Sequence, residues 1–211
     1  MKKILFLLIM ASITLMGCAP SAPQEKTEKT ENTQNAVIDA IMARRSIRQY
    51  HATPVGRDTL MQIMECGINA ANGQNKQSWE VRIVDNPTTM AQIQELMAAG
   101  NAELDPAMVK GCMRGAPVMV FIARDVNYDF SAYDCGLLAG NILLSAQSMG
   151  VGSIVLGSPV RFINDAENSA EILHILGYSE NYELCLCVGL GYAAEAPDAK
   201  PRDINKVQFV D

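Results

Sequence analysis

The sequence has few basic residues, which nucleic-acid-binding proteins need, and few histidines, which many metal sites need. Lysine and arginine number 17 against 23 aspartate and glutamate, which gives a net charge of −6. Because nucleic-acid-binding domains usually carry a basic excess or stripe, we expect no nucleic-acid partner. Only two histidines are present, His51 and His174, and no cluster of Cys or His has the spacing of a zinc site. The sequence therefore predicts no metal centre, and it singles out no catalytic side chain.

An uninterrupted apolar run of about 20 residues, the length that spans a membrane, is missing as well. The nearest is Ile4 to Leu15, which follows two lysines and is broken only by two hydroxyl residues. Its length is typical of the apolar region of a secretory signal peptide. It ends in Leu15-Met16-Gly17-Cys18, which resembles the bacterial lipobox. The resemblance implies a lipoprotein signal peptide over residues 1–17 and a diacylated Cys18, with an ordinary cleaved signal as the alternative.

The segment that follows Cys18 contains almost no apolar residues. Residues 19–35 are mostly Pro, Ser, Thr, Gln, Glu and Lys. Such a segment buries too little surface to offset the entropy lost on ordering, so we predict a disordered tether over residues 18–35. As a flexible coil it would reach about 20–25 Å. The remainder, residues 36–211, has the size of one domain. The protein is thus expected to be a bacterial lipoprotein, anchored to a membrane outside the cytoplasm.

Five cysteines follow Cys18, an odd number that cannot pair completely within one chain. They are Cys66, Cys112, Cys135, Cys185 and Cys187. Cys185 and Cys187 are two residues apart in an apolar, strand-like run, so they are expected to point to the same face. We interpret the set as small buried apolar residues rather than as a metal site.

Apolar periodicity within residues 36–211 predicts helices mixed with strands, an α+β domain. Helices are expected from Val37 to about Arg45, from Asp58 to Ile68, from a Thr88 N-cap through Met97, from Tyr128 to Met149 and from Glu167 to Leu176. Strands are expected at Trp79–Val84, Pro117–Ala123, Ile154–Leu156 and Leu184–Leu190, with an edge strand over Ile204–Val210. The stretch Pro117–Ala123 is continuously apolar, which is typical of a strand covered on both faces.

The first expected helix ends in Arg44-Arg45-Ser46-Ile47-Arg48. Three guanidinium groups and a hydroxyl within five residues can bind a phosphate, since arginine donates in a fixed fork that matches an oxyanion. The alternative is a solvated basic helix end, which the helix dipole favours. A second basic pair, Lys200 and Arg202, flanks Pro201 near the C-terminus.

Together, four separated segments resemble the nitroreductase family. They are Arg44 to Tyr50, Asn75 to Trp79, Asp134 to Gly157, and Gly189 to Tyr192 followed by Lys200-Pro201-Arg202. They occur in the family's order and span essentially the whole domain. Ser78 stands where the family usually has proline.

The resemblance implies a nitroreductase-like fold, with helices packed around a central mixed sheet, that forms an intertwined homodimer with FMN at the subunit interface. By position, Arg44, Arg45, Ser46, Lys200 and Arg202 would hold the FMN phosphate. Arg48 would approach the pyrimidine edge of the flavin. The remaining implied contacts to the flavin ring or its pocket are Asn72, Asn75 and Gln77, with Leu156 and Gly157 beside the reactive nitrogen.

The implied activity is an FMN-dependent, ping-pong, two-electron reduction of nitroaromatic, quinone or related small acceptors. Two alternatives keep the fold without this reaction: a lipid-anchored flavin electron carrier and a non-enzymatic binding lipoprotein. Nicotinamide nucleotides are cytosolic, so the expected export leaves the role of NAD(P)H as donor open. A membrane quinol or another exported redox protein is the expected substitute.

Overall fold

The computed structural model describes residues 35–210. The helices are α1 (Ala36–Ala43), α2 (Arg57–Ile68), α3 (Pro87–Ala99), α4 (Pro106–Gly111), α5 (Ser131–Ser148), α6 (Ser158–Asn164) and α7 (Ser169–Leu176). The strands are β1 (Trp79–Val84), β2 (Val118–Asp125), β3 (Gly152–Leu156) and β4 (Tyr182–Gly191). The predicted signal peptide, Cys18 and the tether up to residue 34 lie outside the described residues.

The four strands form one sheet in the order β1-β2-β4-β3. Every neighbouring pair in it is antiparallel. The predicted α+β class is confirmed, but the sheet is antiparallel rather than mixed. Among the described residues, the one parallel pairing is an isolated bridge between Ser46 and Ser153, where the chain leaving α1 runs beside β3.

Strand β2 lies at the centre of the fold because its side chains are apolar on both faces. Val120 and Ile122 pack with α2 and α5 in one core cluster, while Met119 and Phe121 pack with α3 and α7 in the other. All four are fully buried. Helices therefore cover both faces of the sheet, as the uninterrupted apolar run at 117–123 predicts.

Helix α5 is the longest helix and packs against the sheet through small residues. Cys135, Ala139 and Ala146 are buried against the sheet. Its opposite face is exposed, including Tyr133 and Leu137. A helix that is apolar nearly all round but covered on one side only leaves an apolar surface for another partner.

Several local predictions were wrong, each for an identifiable reason. The N-cap of α3 is Asn86, whose side chain accepts from the amides of Thr88 and Thr89, and Pro87 takes the first helical position. Helices α4 and α6 were not predicted, since each is short; both begin with a proline in the first turn. The expected edge strand at 204–210 is a single 3-10 turn, Ile204–Lys206, followed by exposed chain.

A β-bulge in β4 overturns the expectation for its two cysteines. Ile122 pairs with Leu186 and Ala123 pairs with Leu184, so Cys185 is the extra residue. Side chains of a strand normally alternate between the two faces of the sheet, and the extra residue interrupts this alternation. Residues before the bulge therefore point to the face opposite to the one that strict alternation would give. Cys185 consequently packs against the cluster that contains α5, while Cys187 lies in the cluster on the opposite face.

Two findings concern the part of the chain that the structure describes. Within residues 35–210, no helix has both the length and the apolar character to cross a membrane. The same residues include no group of three or more His, Cys, Asp or Glu side chains placed to hold a metal ion.

Candidate functional site

The segment that leaves α1 is fixed against the edge of the sheet. Ile47 is 7% exposed, and its amide donates to the Ser153 carbonyl oxygen over 3.0 Å. The contact is close: a Cβ atom on Gly152 would lie 3.0 Å from Ile47 Cγ1 and 3.0 Å from the Gly191 carbonyl oxygen. Glycine at 152 therefore allows this approach, which a side chain would permit only after its neighbours moved by a few tenths of an ångström. With Ile47 held inward, the alternation of the chain leaves Ser46 and Arg48 on the other side.

That side faces a cavity of about 580 Å³, which lies between α1, α5 and the segment near the C-terminus. Its polar lining comes from two parts of the sequence that are far apart, Arg44, Arg45, Ser46 and Arg48 from the first and Asp198, Lys200 and Arg202 from the second. The structure thus brings together all six residues for which phosphate or ring-edge contacts were predicted near α1 and the C-terminus. Their binding roles remain predictions.

Five cationic side chains line this cavity against one carboxylate, that of Asp198. Within residues 35–210, none of the five forms a salt bridge. Most other arginines of the described chain, such as Arg57 and Arg124, are paired with an acidic residue. Uncompensated positive charge gathered in one concave site of an acidic protein favours an anionic ligand.

Three of the cavity arginines are already oriented by backbone carbonyls. Arg202 Nη1 donates to the Lys200 carbonyl oxygen at 3.3 Å. Arg45 Nη1 donates to the carbonyl oxygens of Met42, at 2.7 Å, and of Arg44, at 2.9 Å, and so caps the end of α1. Arg48 Nη1 donates to the Ser46 carbonyl oxygen at 2.9 Å, and the Arg48 amide donates to the Glu195 carboxylate. These contacts use one nitrogen of each guanidinium and leave the other donors for a ligand.

The rest of the lining is apolar and comes mainly from α1 and α5. It consists of Ile41, Met42, Gly140, Leu143 and Leu144, with Pro197 and Ala199 from the segment near the C-terminus. A site with a cationic end and an apolar wall suits a ligand that joins a phosphate to a flat apolar group. The volume lies within the range of small-molecule and cofactor pockets. The residues present therefore fit a phosphorylated, ring-containing cofactor.

The predicted contacts Asn72, Asn75 and Gln77 lie elsewhere, in the turn between α2 and β1. Gln74, Asn75 and Gln77 all adopt left-handed backbone conformations, with φ of 54°, 54° and 49°. Such conformations are unfavourable for residues other than glycine and accumulate at functional sites. This turn does not line the cavity in the single chain.

A buried carboxylate at the start of α5 holds the turn. Asp134 is 2% exposed, accepts from the Gly73 amide at 2.9 Å and accepts from Ser78 Oγ at 2.8 Å. The Gln77 amide also donates to Asn72 Oδ1 over 3.0 Å. Ser78, which stands where the resembled family usually has proline, thus helps to hold the turn by donating to Asp134.

Comparison with known proteins decides the family. Residues 41–192 match the Nitroreductase family. The chain belongs to the nitroreductase family. The prediction made from the four separated segments is confirmed.

Relatives within and near the nitroreductase family are enzymes by name. A protein of Vibrio harveyi described as an NADPH-flavin oxidoreductase is 29% identical over 181 residues, covering 78% of this chain and 69% of its own length. A Thermus thermophilus protein described as an NADH dehydrogenase is 36% identical over 186 residues, covering 74% of this chain and 86% of its own length.

Solved nitroreductase structures have the same fold. A nitroreductase with bound FMN from Desulfitobacterium hafniense superposes with a TM-score of 0.75 at 28% identity, covering 84% of this chain and 99% of that one. One with bound FMN from Bacteroides fragilis also gives 0.75, at 25% identity, covering 84% and 100%.

The last two residues implied by the nitroreductase resemblance lie at the end of β3. Leu156 is 7% exposed and closes the strand opposite Cys187, and Gly157 is the N-cap of α6. Neither lines the cavity.

The sequence interpretation missed three polar residues that shape the site. Asp198 lines the cavity, Glu195 holds the Arg48 backbone, and Tyr50 donates from its hydroxyl to the Ile47 carbonyl oxygen at 2.7 Å. Burial raises the pKa of Tyr50, which keeps this hydroxyl protonated. The position of Tyr50 in the first matching segment was the available signal, but its partner is a backbone group that no side-chain pattern reveals.

Proposed function

We propose that this protein is an FMN-dependent oxidoreductase that reduces small acceptors by two electrons. The observation that carries the proposal is a cavity in which five cationic side chains, none of them in a salt bridge within residues 35–210, meet an apolar wall. Membership of the nitroreductase family and the bound FMN of two similar structures support the same cofactor. Quinones, nitroaromatics and related flat molecules are the acceptors proposed.

Different residues of the cavity would bind different parts of FMN. Arg44, Ser46, Lys200 and Arg202 would hold the phosphate through charge-assisted hydrogen bonds, which are the strongest that side chains form. Arg48 would place its charge near the ring edge. Bound FMN would accept and release electron pairs, while the protein binds, orients and tunes it. The apolar wall from α1 and α5 would exclude water from the ring.

We propose that the active form is a homodimer. The exposed apolar surface is large for a monomer: it includes Ile38 and Met42 of α1, Tyr133 and Leu137 of α5, and Phe209, which is 99% exposed. A second copy would cover these residues and bring its own Asn72–Gln77 turn to the ring end of the cavity. Sedimentation should give a dimer for the native chain and a monomer for Leu137→Glu; a native monomer would overturn this part of the proposal.

The proposed location is the membrane surface outside the cytoplasm, through a lipid on Cys18. Its support is the sequence alone, namely the lipobox-like motif and the polar segment that follows it. Replacing Cys18 by Ser should move the protein from the membrane fraction to the aqueous fraction. Membrane retention unchanged in Cys18→Ser would contradict the anchor. In this location a quinol or an exported redox protein, rather than NAD(P)H, is the proposed donor.

Flavin retention tests the cofactor assignment directly. The native protein should purify yellow, with FMN released on denaturation. The double variant Arg44→Ala, Arg202→Ala should purify without flavin, because it removes two charged phosphate contacts worth about 1.5–3 kcal/mol each. Arg161→Ala is the matched control, since Arg161 is an exposed arginine outside the cavity. Full FMN content in the double variant would refute the phosphate site.

Turnover separates the enzyme from the two alternatives. Anaerobic reduction of the bound flavin by quinol, NADH and NADPH, each followed by a quinone or nitroaromatic acceptor, should give net two-electron transfer. Flavin that is reduced and reoxidised only by a protein partner would favour an electron carrier. A native protein that never binds FMN would favour a binding lipoprotein.

A further inference from the structure

Two cysteines with no part in the cavity meet where α5 packs on β4. Cys135 belongs to α5 and is fully buried, whereas Cys185 is half-buried at the bulge of β4. Both pack in the cluster that contains α2 and α5. Without the bulge, Cys185 would share the face of Cys187 on the other side of the sheet. The bulge is therefore what directs Cys185 toward Cys135.

Strand pairing places the two cysteines beside one another. The Cys135 thiol donates to the Ala123 carbonyl oxygen at 3.7 Å, and Ala123 pairs across the sheet with Leu184, the residue before Cys185. The Cys185 side chain packs in the same cluster as Cys135, so both thiols lie on one face of the sheet next to this strand pair.

The surroundings make the two sulfurs unequal. The neighbouring Cys135 thiol and the charge of Arg124 lower the pKa of Cys185 to about 7. The neighbouring Cys185 and burial raise the pKa of Cys135. Arg124 lies beside the pair and is itself bound to Glu183, with Nε at 2.7 Å from Oε1. A half-buried thiolate beside a buried thiol is the arrangement of an attacking and a resolving cysteine.

We propose that Cys135 and Cys185 form a reversible dithiol–disulfide site, in which Cys185 reacts first with a disulfide-bearing oxidant and Cys135 completes the bond. The Cys185 thiolate attacks one sulfur of the oxidant, which leaves as a thiolate, and a mixed disulfide forms on Cys185. The Cys135 thiol then loses its proton and displaces the second half of the oxidant from Cys185. The protein loses two electrons and two protons, and the oxidant is released as two thiols.

The other cysteines differ in the properties that this chemistry needs. Cys112 and Cys187 are buried in the opposite cluster, and burial raises the pKa of both, that of Cys112 to about 11. They form a natural control pair, because both are buried in the same cluster but neither offers an accessible thiolate. Cys66 is exposed on α2, so it can react but is expected to form bonds only between molecules.

The test uses the purified full-length protein carrying Cys66→Ser, treated with oxidised glutathione and digested without reduction. The expected product is a peptide pair linked through Cys135 and Cys185, lighter by two hydrogen atoms than the reduced pair, with Cys112 and Cys187 still alkylated as free thiols. Dithiothreitol should restore both thiols. The added variant Cys112→Ser should leave the linked pair unchanged.

Two further variants separate the roles of the two cysteines. Cys135→Ala, chosen because alanine packs well in a helix core, should trap glutathione on Cys185 as a lasting mixed disulfide. Cys185→Ser should show neither the linked pair nor glutathione on Cys135. The proposal is overturned if the native pair stays reduced while Cys185 remains open to alkylation, or if glutathione persists on Cys185 although Cys135 is present. It is equally overturned if Cys112 and Cys187 are linked at the same rate.

Discussion

The two ends of α5 present opposite kinds of site. Near Leu144 the helix borders a cavity lined by five cationic side chains, while Asp134 at its start binds a strained turn through a buried carboxylate. About 15 Å of helix separates the two. One chain completes the first site, since all its cations converge. Asn75 and Gln77 of the second site do not line that cavity within the described chain.

The difference indicates that the two sites would contribute to ligand binding in different ways. The cavity near Leu144 contributes positive charge, and few of its side chains make contacts that stabilise the fold, so substitutions there should weaken binding with little effect on stability. The turn bound by Asp134 is held by buried hydrogen bonds, so substitutions there should lower stability first. A second copy of the chain is what would join the two ends around one ligand.

The largest expected effect is at the cavity end. Reversing one charge in Arg202→Glu removes a phosphate contact and adds repulsion, which should weaken FMN binding by about 100-fold or more. The free energy of unfolding of the FMN-free protein should change by less than about 0.5 kcal/mol. Fluorescence titration with FMN and urea denaturation measure the two quantities. Arg161→Glu, outside the cavity, should leave FMN binding unchanged and lower the free energy of unfolding by about 0.5–1 kcal/mol, because it replaces the Arg161–Asp165 salt bridge by a like-charge pair.

A smaller effect, on stability rather than on FMN binding, is expected at the turn bound by Asp134. Asp134→Ala leaves the Gly73 amide and the Ser78 hydroxyl without their acceptor in a buried place, which should lower the free energy of unfolding by about 2–3 kcal/mol. Urea denaturation of the FMN-free protein measures it. Asp129→Ala, which changes an exposed carboxylate on the neighbouring loop, should stay within about 0.5 kcal/mol. Equal stability of the two variants would break the comparison.

The smallest expected effect concerns the backbone strain in the turn. Gln74→Gly should raise the free energy of unfolding by about 0.5 kcal/mol, since glycine adopts a φ of 54° freely but loses more entropy on folding. Ala71→Gly, in the same turn but without a positive φ, should lower it by about 0.5–1 kcal/mol. Thermal denaturation of both variants checks the sign, and a loss of stability in both would mean that the turn is not strained.

Much of this fold was predictable because the patterns that specify it are local. The run at 117–123 could be assigned to a doubly covered strand, and the small residues of α5 could be assigned to a tightly packed helix. Those assignments require only the spacing of apolar residues. Short helices such as α4 and α6 contain too few turns for a periodic pattern. The alternating residues at 204–210 pair with no strand of the described chain.

The candidate site shows the same division between local and distant information. The sequence by itself determined the family, the cluster of arginines after α1 and the basic pair at Lys200 and Arg202. Only the tertiary structure decided that these two clusters share one cavity, that Asp134 holds the distant turn and that the bulge turns Cys185 toward Cys135. The physical reason is that residue types and their spacing set local preferences, whereas contacts between distant segments depend on sheet register and helix packing. A single unpaired residue in β4 is enough to change which side chains meet.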